Sequence, residues 1–232
     1  MKPFQYILGI LCAFSLVFIL LITSVEAVTY WTPGYYEEEY TKYRVNQTAY
    51  LQMEMSDLLD VTNEMMAYLR GRREDLHVDT IVNGEAREFF NGREIAHMED
   101  VRDLFVGAIM LRRAAIALIG ISLLILLLMK ADLLWLIPRT LCAGAGLFLL
   151  VIAVLAGIIS TDFTRYFTVF HEIFFDNDLW ILDPRTDLLI NIVPEPFFID
   201  TAVRIATTFG ICILALFLIC IWLIRHPKRT VM

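Results

Sequence analysis

Four apolar runs, each long enough to cross a lipid bilayer, decide what this chain can become. The first, residues 4–24, carries no charged side chain. At about 1.5 Å of rise per residue, roughly twenty helical residues cover a hydrocarbon core of about 30 Å. Val25-Glu26-Ala27 after it resembles a cleavage site. The run nevertheless exceeds the roughly 7–15 apolar residues of a secretory signal, so an uncleaved anchor is expected. The other runs are residues 114–130, 140–159 and 202–224. In the third, Ala143-Gly144-Ala145-Gly146 removes side-chain bulk and lets a neighbouring helix approach. Hydrophobic residues make up 58% of the 232 and charged ones 19%, too much apolar surface for one soluble core.

Lys and Arg resist translocation, and Asp and Glu count for little, so short cationic segments set the orientation. The turn bearing Lys130 and Arg139 and the tail Arg225-His226-Pro227-Lys228-Arg229 are expected in the cytoplasm, and four spans then place the N-terminus there too. The expected class is an all-α integral membrane protein: four transmembrane helices with an extracytoplasmic, mainly helical cap. Its divisions are a first span (1–27), a cap segment (28–111), a second and a third span (112–132 and 133–159), a second cap segment (160–201), a fourth span (202–224) and a tail (225–232). Both cap segments are rich in acid, which accounts for much of the net charge of −7. Arg112, Arg113 and Arg204 fall at outer ends of spans, where long side chains reach for headgroups.

All four cysteines, Cys12, Cys142, Cys212 and Cys220, lie in apolar runs, which leaves neither a disulfide framework nor a CxxC redox pair. In the first cap segment Tyr50, Met53, Leu58, Val61, Met65 and Leu69 recur at helical spacing up to Arg70-Gly71-Arg72-Arg73, the pattern of an amphipathic helix whose apolar face belongs to the cap core or rests on the membrane surface, with a Met-rich peptide-binding groove as the lesser alternative.

Two stretches are richer in aromatic and ionisable residues than anchoring requires. One runs Phe89-Phe90-Asn91-Gly92-Arg93-Glu94-Ile95-Ala96-His97-Met98-Glu99-Asp100-Val101. A helix starting after Asn91-Gly92 puts Glu94, His97 and Asp100 along one face, where a carboxylate beside His97 would raise its basicity. In the other, Phe163, Phe167, Phe170, His171 and Phe174 form a helical stripe. Asp176-Asn177-Asp178-Leu179-Trp180-Ile181-Leu182-Asp183-Pro184 follows, with Asp183-Pro184 read as a helix start and a short helix 188–193 ending before Pro194 and Pro196. An interfacial histidine is commonly structural and an aromatic stripe commonly a belt. What singles out His97 and His171 is that each flanks a span on the same outer side, so both can point into one pocket.

Those two blocks resemble the lipoprotein intramolecular transacylase (Lit) family of Gram-positive bacteria, and the resemblance extends over nearly the whole chain. It implies an acyltransferase that moves the sn-2 acyl chain of the S-diacylglyceryl group on a lipoprotein's N-terminal cysteine to that cysteine's α-amino group, giving lyso-form lipoprotein. Its substrates would be diacylated bacterial lipoproteins among membrane lipids, with neither cofactor nor nucleic acid. His97 and His171 would be catalytic. Arg93, Asp100, Asn177 and Asp183 would orient them or bind glyceryl oxygens, and Phe89, Phe90, Phe167, Phe170, Phe174 and Trp180 would wall the cavity.

Two other classes compete. A scaffold or transporter subunit lacks support, because the spans have neither buried charges nor Gly/Pro-broken halves. A metal-dependent membrane hydrolase would draw on His97, Asp100, His171 and Asp176, but no HExxH-like spacing occurs. Serine-hydrolase and nucleotide-binding motifs are equally missing.

Overall fold

A computed structural model describes residues 2–226; residues 227–232 of the expected cytoplasmic tail lie outside the described residues. Four helices are long and apolar enough to cross a membrane: Pro3–Trp31, Gly92–Leu128, Leu133–Ile159 and Glu195–Arg225. The first consists of α1 (Pro3–Glu26) and a π-helical turn, Ala27–Trp31. The others are α4, α5 and α8, and between them come α2 (Tyr35–Tyr43), α3 (Met55–Leu69), a hairpin of β1 (Asp79–Val82) and β2 (Glu85–Glu88), α6 (Phe163–Phe174) and α7 (Leu189–Ile192). The chain divides into two compact units.

Among the described residues, one unit comprises residues 2–26, 109–161 and 204–226. Here α1 packs along α5, and the small-residue run makes the close approaches possible. A Cβ on Gly144 would stand 3.0 Å from that of Ala13, and one on Gly146 would be 3.4 Å from the Phe217 ring. Val17, Ala145, Phe209 and Ile213 form one buried cluster, and Leu8, Leu126 and Leu136 a second. Most of the remaining apolar side chains in these helices are exposed, Leu128 and Leu134 among them, as helices facing lipid require. Lys130, at φ 52°, closes α4, with the Ala131 N–H donating to Leu126 O at 3.0 Å. Asp132 then caps α5 by accepting from the Trp135 N–H. Arg112 and Glu26 form an ion pair between α4 and α1 that leaves the two side chains 19% and 5% exposed; Arg112 is therefore spent on Glu26 and not on headgroups, and the spans carry a buried charge pair that their sequence did not lead one to expect.

The other unit comprises residues 27–108 and 162–203. The expected amphipathic helix is α3, with Leu58, Val61 and Met65 buried, but it starts at Met55; Tyr50 and Met53 belong to a turn closed by a Gln47–Gln52 bridge. Tyr40 reaches Thr62 of α3 at 2.7 Å and stacks with Phe197. The hairpin departs from the all-α expectation. Its sequence signal is Asn83-Gly84, whose φ values of 55° and 79° suit the two-residue turn that right-twisted strands need. Three further boundaries differ. Residues 92–128 form one helix of 37 residues, so the helix expected after Gly92 and the second span are continuous. Asp183-Pro184 opens a turn instead of a helix, with the N–H groups of Thr186 and Asp187 donating to Asp183 O. And α8 begins at Glu195, with Pro196 in its first turn, where a missing N–H costs nothing.

Replacing Gly144 by Leu should lower the thermal midpoint in detergent, by an overpacking cost of about 1–3 kcal/mol. Leu at Gly157 of the same helix, where a Cβ meets nothing within 4 Å, should leave the midpoint nearly unchanged. Equal midpoints would refute the packing of α1 on α5 at Gly144.

Candidate active site

Asn91 and Glu94 open α4 with reciprocal bonds. The N–H groups of Arg93 and Glu94 donate to Asn91 Oδ1 at 2.9 and 3.1 Å, and the Asn91 N–H donates to Glu94 Oε2 at 2.7 Å. This is a capping box with asparagine in the Ser/Thr place. Glu94 is fully buried, and its other oxygen accepts the Leu189 N–H at 2.5 Å. The Asn91 amide donates to Asp187 Oδ1 at 2.8 Å, while Asp187 Oδ2 accepts the Asp183 N–H at 2.7 Å. The start of α4 is thereby tied to the segment before α7. Burial pushes the Glu94 carboxyl up, and the two N–H donors oppose that shift.

His97 follows one turn later on the buried face, 7% exposed, and its ring centroid lies 6.2 Å from that of His171 on α6, which is equally buried. The two residues brought together come from distant parts of the chain. His171 Nδ1 lies 2.7 Å from Phe167 O. A carbonyl can only accept, so Nδ1 carries the hydrogen and Nε2 holds the basic lone pair. His97 Nδ1 is buried with no hydrogen-bond partner among the described residues.

Aromatic rings surround the pair. Phe167 stands 4.2 Å from His171, Phe170 5.4 Å and Trp180 4.9 Å, and Phe175 packs on both imidazoles at 5.3 and 5.5 Å. Phe174 stacks on Phe170 at 4.7 Å. Phe89 and Phe90 are fully buried and pack on each other, and neither is a ring neighbour of His97 or His171. Phe175 and Phe198, the latter 5.0 Å from Phe167, are ring neighbours that sequence reasoning missed; a helical stripe extended through its C-terminal residue would have included Phe175.

The polar candidates form a brace beside the rings. Asn177 donates to Asp100 Oδ2 at 2.8 Å, and its carbonyl accepts the Trp180 Nε1–H at 3.0 Å. Arg93 donates to the Asp178 carbonyl and lies 3.5 Å from the Asp178 carboxylate. Asp183 is spent on Arg185, which holds its carboxyl down at about 2. Neither Glu94 nor Asp100 hydrogen-bonds to His97, so the expected rise in basicity does not occur. Burial and then the His171 ring lower His97 to about 4, with Asp100 opposing only weakly, and burial lowers His171 as well. Both imidazoles are neutral at pH 7. Among the described residues no three His, Cys, Asp or Glu side chains come together in a metal-holding arrangement.

Residues 10–198 match the family model described as "Lipoprotein intramolecular transacylase Lit". A comparison with curated proteins returns no match. Among solved structures, the membrane integral lipoprotein intramolecular transacylase Lit from Bacillus cereus superposes with a TM-score of 0.80 at 20% identity, over 97% of this chain and 98% of that one. Two variants of that protein, in which a histidine is mutated to alanine or to arginine, match with TM-scores of 0.74 at 21% identity, over 96% of this chain and 94% and 92% of theirs.

Removing the Glu94 carboxylate strands the buried N–H groups of Asn91 and Leu189, at about 1–3 kcal/mol each. Glu94→Ala should therefore lower the unfolding midpoint by several degrees, and Glu94→Gln, which keeps one acceptor, by less. Equal midpoints for the two variants and the parent would show that the carboxylate ties nothing.

Proposed function

Because the chain belongs to the lipoprotein intramolecular transacylase (Lit) family, and is therefore a multi-pass membrane acyltransferase, we propose that it transfers the sn-2 acyl chain of an S-diacylglyceryl cysteine to that cysteine's own α-amino group. The observation that carries this reading is the pair of buried, neutral imidazoles 6.2 Å apart within a shell of aromatic rings. An α-amino group titrates near 7.7–8.0 and must lose a proton before it attacks an ester. The ammonium proton goes to solvent, and the lone pair of the free amine forms the new N–C bond as the carbonyl electrons move onto oxygen. One imidazole accepts a second proton from the nitrogen of the tetrahedral centre, whose collapse breaks the C–O bond to the glyceryl oxygen. That oxygen receives the proton from the imidazolium, so the parent mass is unchanged.

Donor and acceptor belong to one molecule, so no protein nucleophile is needed. The enzyme's contribution is geometry: well-oriented intramolecular reactions gain on the order of 7–11 kcal/mol at best. Phe167, Phe170, Phe174, Phe175 and Trp180 form the wall that folds the substrate, with the buried pair Phe89 and Phe90 leading into the start of α4. Arg93, Asp100 and Asn177 hold the Trp180 segment in place, and Asp183 fixes the turn next to Asp187. The unit bearing the histidines is the extracytoplasmic cap of the proposed topology, with both termini in the cytoplasm and spans at 1–27, 112–132, 133–159 and 202–224.

Incubating the purified protein with a diacylglyceryl lipopeptide and fragmenting the product by tandem mass spectrometry should reveal one acyl group moved to nitrogen at constant parent mass. A product lighter by one acyl chain would establish a hydrolase instead. His97→Ala and His171→Ala should each lower kcat/KM by about 10²-fold or more, and near-parental rates in a folded variant would refute the assignment. Since both imidazoles are already neutral, the acid-side fall in kcat/KM should follow the substrate amine near 7.7–8.0, not an enzyme group near 6.5. A break at 6.5 would contradict the burial of the pair.

A further inference from the structure

Along β1 the hairpin leaves a strand edge open as far as Asn83, whose N–H is taken by Gln52 O at 2.9 Å, and a groove runs beside the open part. Val82 and Glu85 flank the two-residue turn and form a hydrogen-bonded pair, so by alternation the N–H and C=O groups of Asp79 and Ile81 point away from β2. The sheet has two strands only, and those backbone groups bond to nothing among the described residues. Asp79 and Ile81 line a groove of about 730 Å³ whose opposite wall is Asp57, Asp60, Val61 and Glu64 of α3. Ile81 is 52% exposed, large for an isoleucine in a strand.

The groove is unbalanced in charge. Glu64 is paired with Arg73, and His77 with Glu88, whereas Asp57, Asp60 and Asp79 form no ion pair among the described residues. An open edge facing a helix across a groove is the geometry by which an extended peptide is added as a further strand, its backbone held by the edge and its side chains sorted by the walls. Three uncompensated carboxylates select a cationic peptide.

We infer that β1 and α3 bind the extended, Lys- or Arg-bearing polypeptide that follows the lipidated cysteine of the substrate; this rests on the transfer reaction proposed above. The reach is adequate. β2 ends at Glu88, and the nine residues from there to His97 span at most about 30 Å. A stem of about ten extended residues covers that distance. The acyl transfer consumes only the cysteine and its glyceride, so the stem groove determines which lipoproteins are preferred without touching the reacting atoms.

The test uses the full-length protein and diacylglyceryl lipopeptides that differ only after the cysteine: a stem of about three neutral residues, one of about sixteen carrying lysines, and one of about sixteen carrying glutamates. The lysine stem should have a KM about tenfold below the other two, with kcat unchanged. Asp57→Asn with Asp60→Asn should abolish that advantage and leave turnover of the short lipopeptide as it was. So should Ile81→Pro, which deletes the outward-facing N–H and the isoleucine side chain of the groove wall while leaving the bonds between β1 and β2 in place. If Ile81→Pro does not fold, the asparagine pair alone decides. Equal KM values for lysine and glutamate stems, or an advantage that survives in the asparagine pair, overturn the inference while the short lipopeptide still reports acyl transfer. If the parental protein leaves the short lipopeptide unmodified, the proposed reaction fails and takes this inference with it.

Discussion

Two buried carboxylates tie together segments about a hundred residues apart, and the geometry around the histidines depends on them. Glu94 closes the first turn of α4 through Asn91 and accepts from the Leu189 backbone, while Asp187 receives the Asn91 amide. Each oxygen is used on an N–H donor, which makes burying the charge tolerable. The result is a helix whose first turn is pinned at both ends of its hydrogen-bonding capacity, so the orientation of His97, three residues on, is set by backbone and not by a side-chain partner. A carboxylate aimed at the imidazole would have fixed the ring equally well, but would also have made it a stronger base and a charged one.

Burial gives the pair its chemical character. Two imidazoles 6.2 Å apart among Phe167, Phe175 and Trp180 cannot both be protonated, and with no carboxylate bonded to either, neither is held as a cation. The same rings that keep the site apolar would suit the acyl chains of the proposed glyceride substrate. Base strength and substrate fit thus come from one set of side chains. The polar brace of Asn177, Asp100 and Trp180 stands at the margin and shapes the rings from outside.

The sequence reveals the apolar spans most clearly, because a lipid-facing helix must be apolar on nearly every side, and no tertiary partner is needed to read that. The two histidine blocks are legible as concentrations of aromatic and ionisable residues, though their meeting in space is not encoded in either alone. Asn83-Gly84 announces the hairpin to a reader looking for turns of positive φ, and Asn91-x-x-Glu94 announces the helix start. Asp183-Pro184 misleads because the same pair opens a helix or a turn equally well, and Asp187 settles it by taking the Asp183 N–H. The pairing of Asn91 with Asp187 has no local signature at all. Nor does the low basicity of His97, since depth of burial is a property of the assembled unit.

On α6, His171 faces inward while Phe170, Ile173 and Phe174 on its other side stand 46%, 69% and 51% exposed. One helix therefore offers hydrocarbon-like surface outward and a proton acceptor inward, separated by the thickness of its own backbone. In the proposed transfer, a glyceride moving along such a surface would not have to dissolve in water: its fatty chains would trade one oily neighbour for another, and only the cysteine's amine and ester would change surroundings. Encounter in that reaction would be a search in a plane, its pace governed by how many lipoproteins each patch of bilayer holds and not by their concentration in the surrounding fluid.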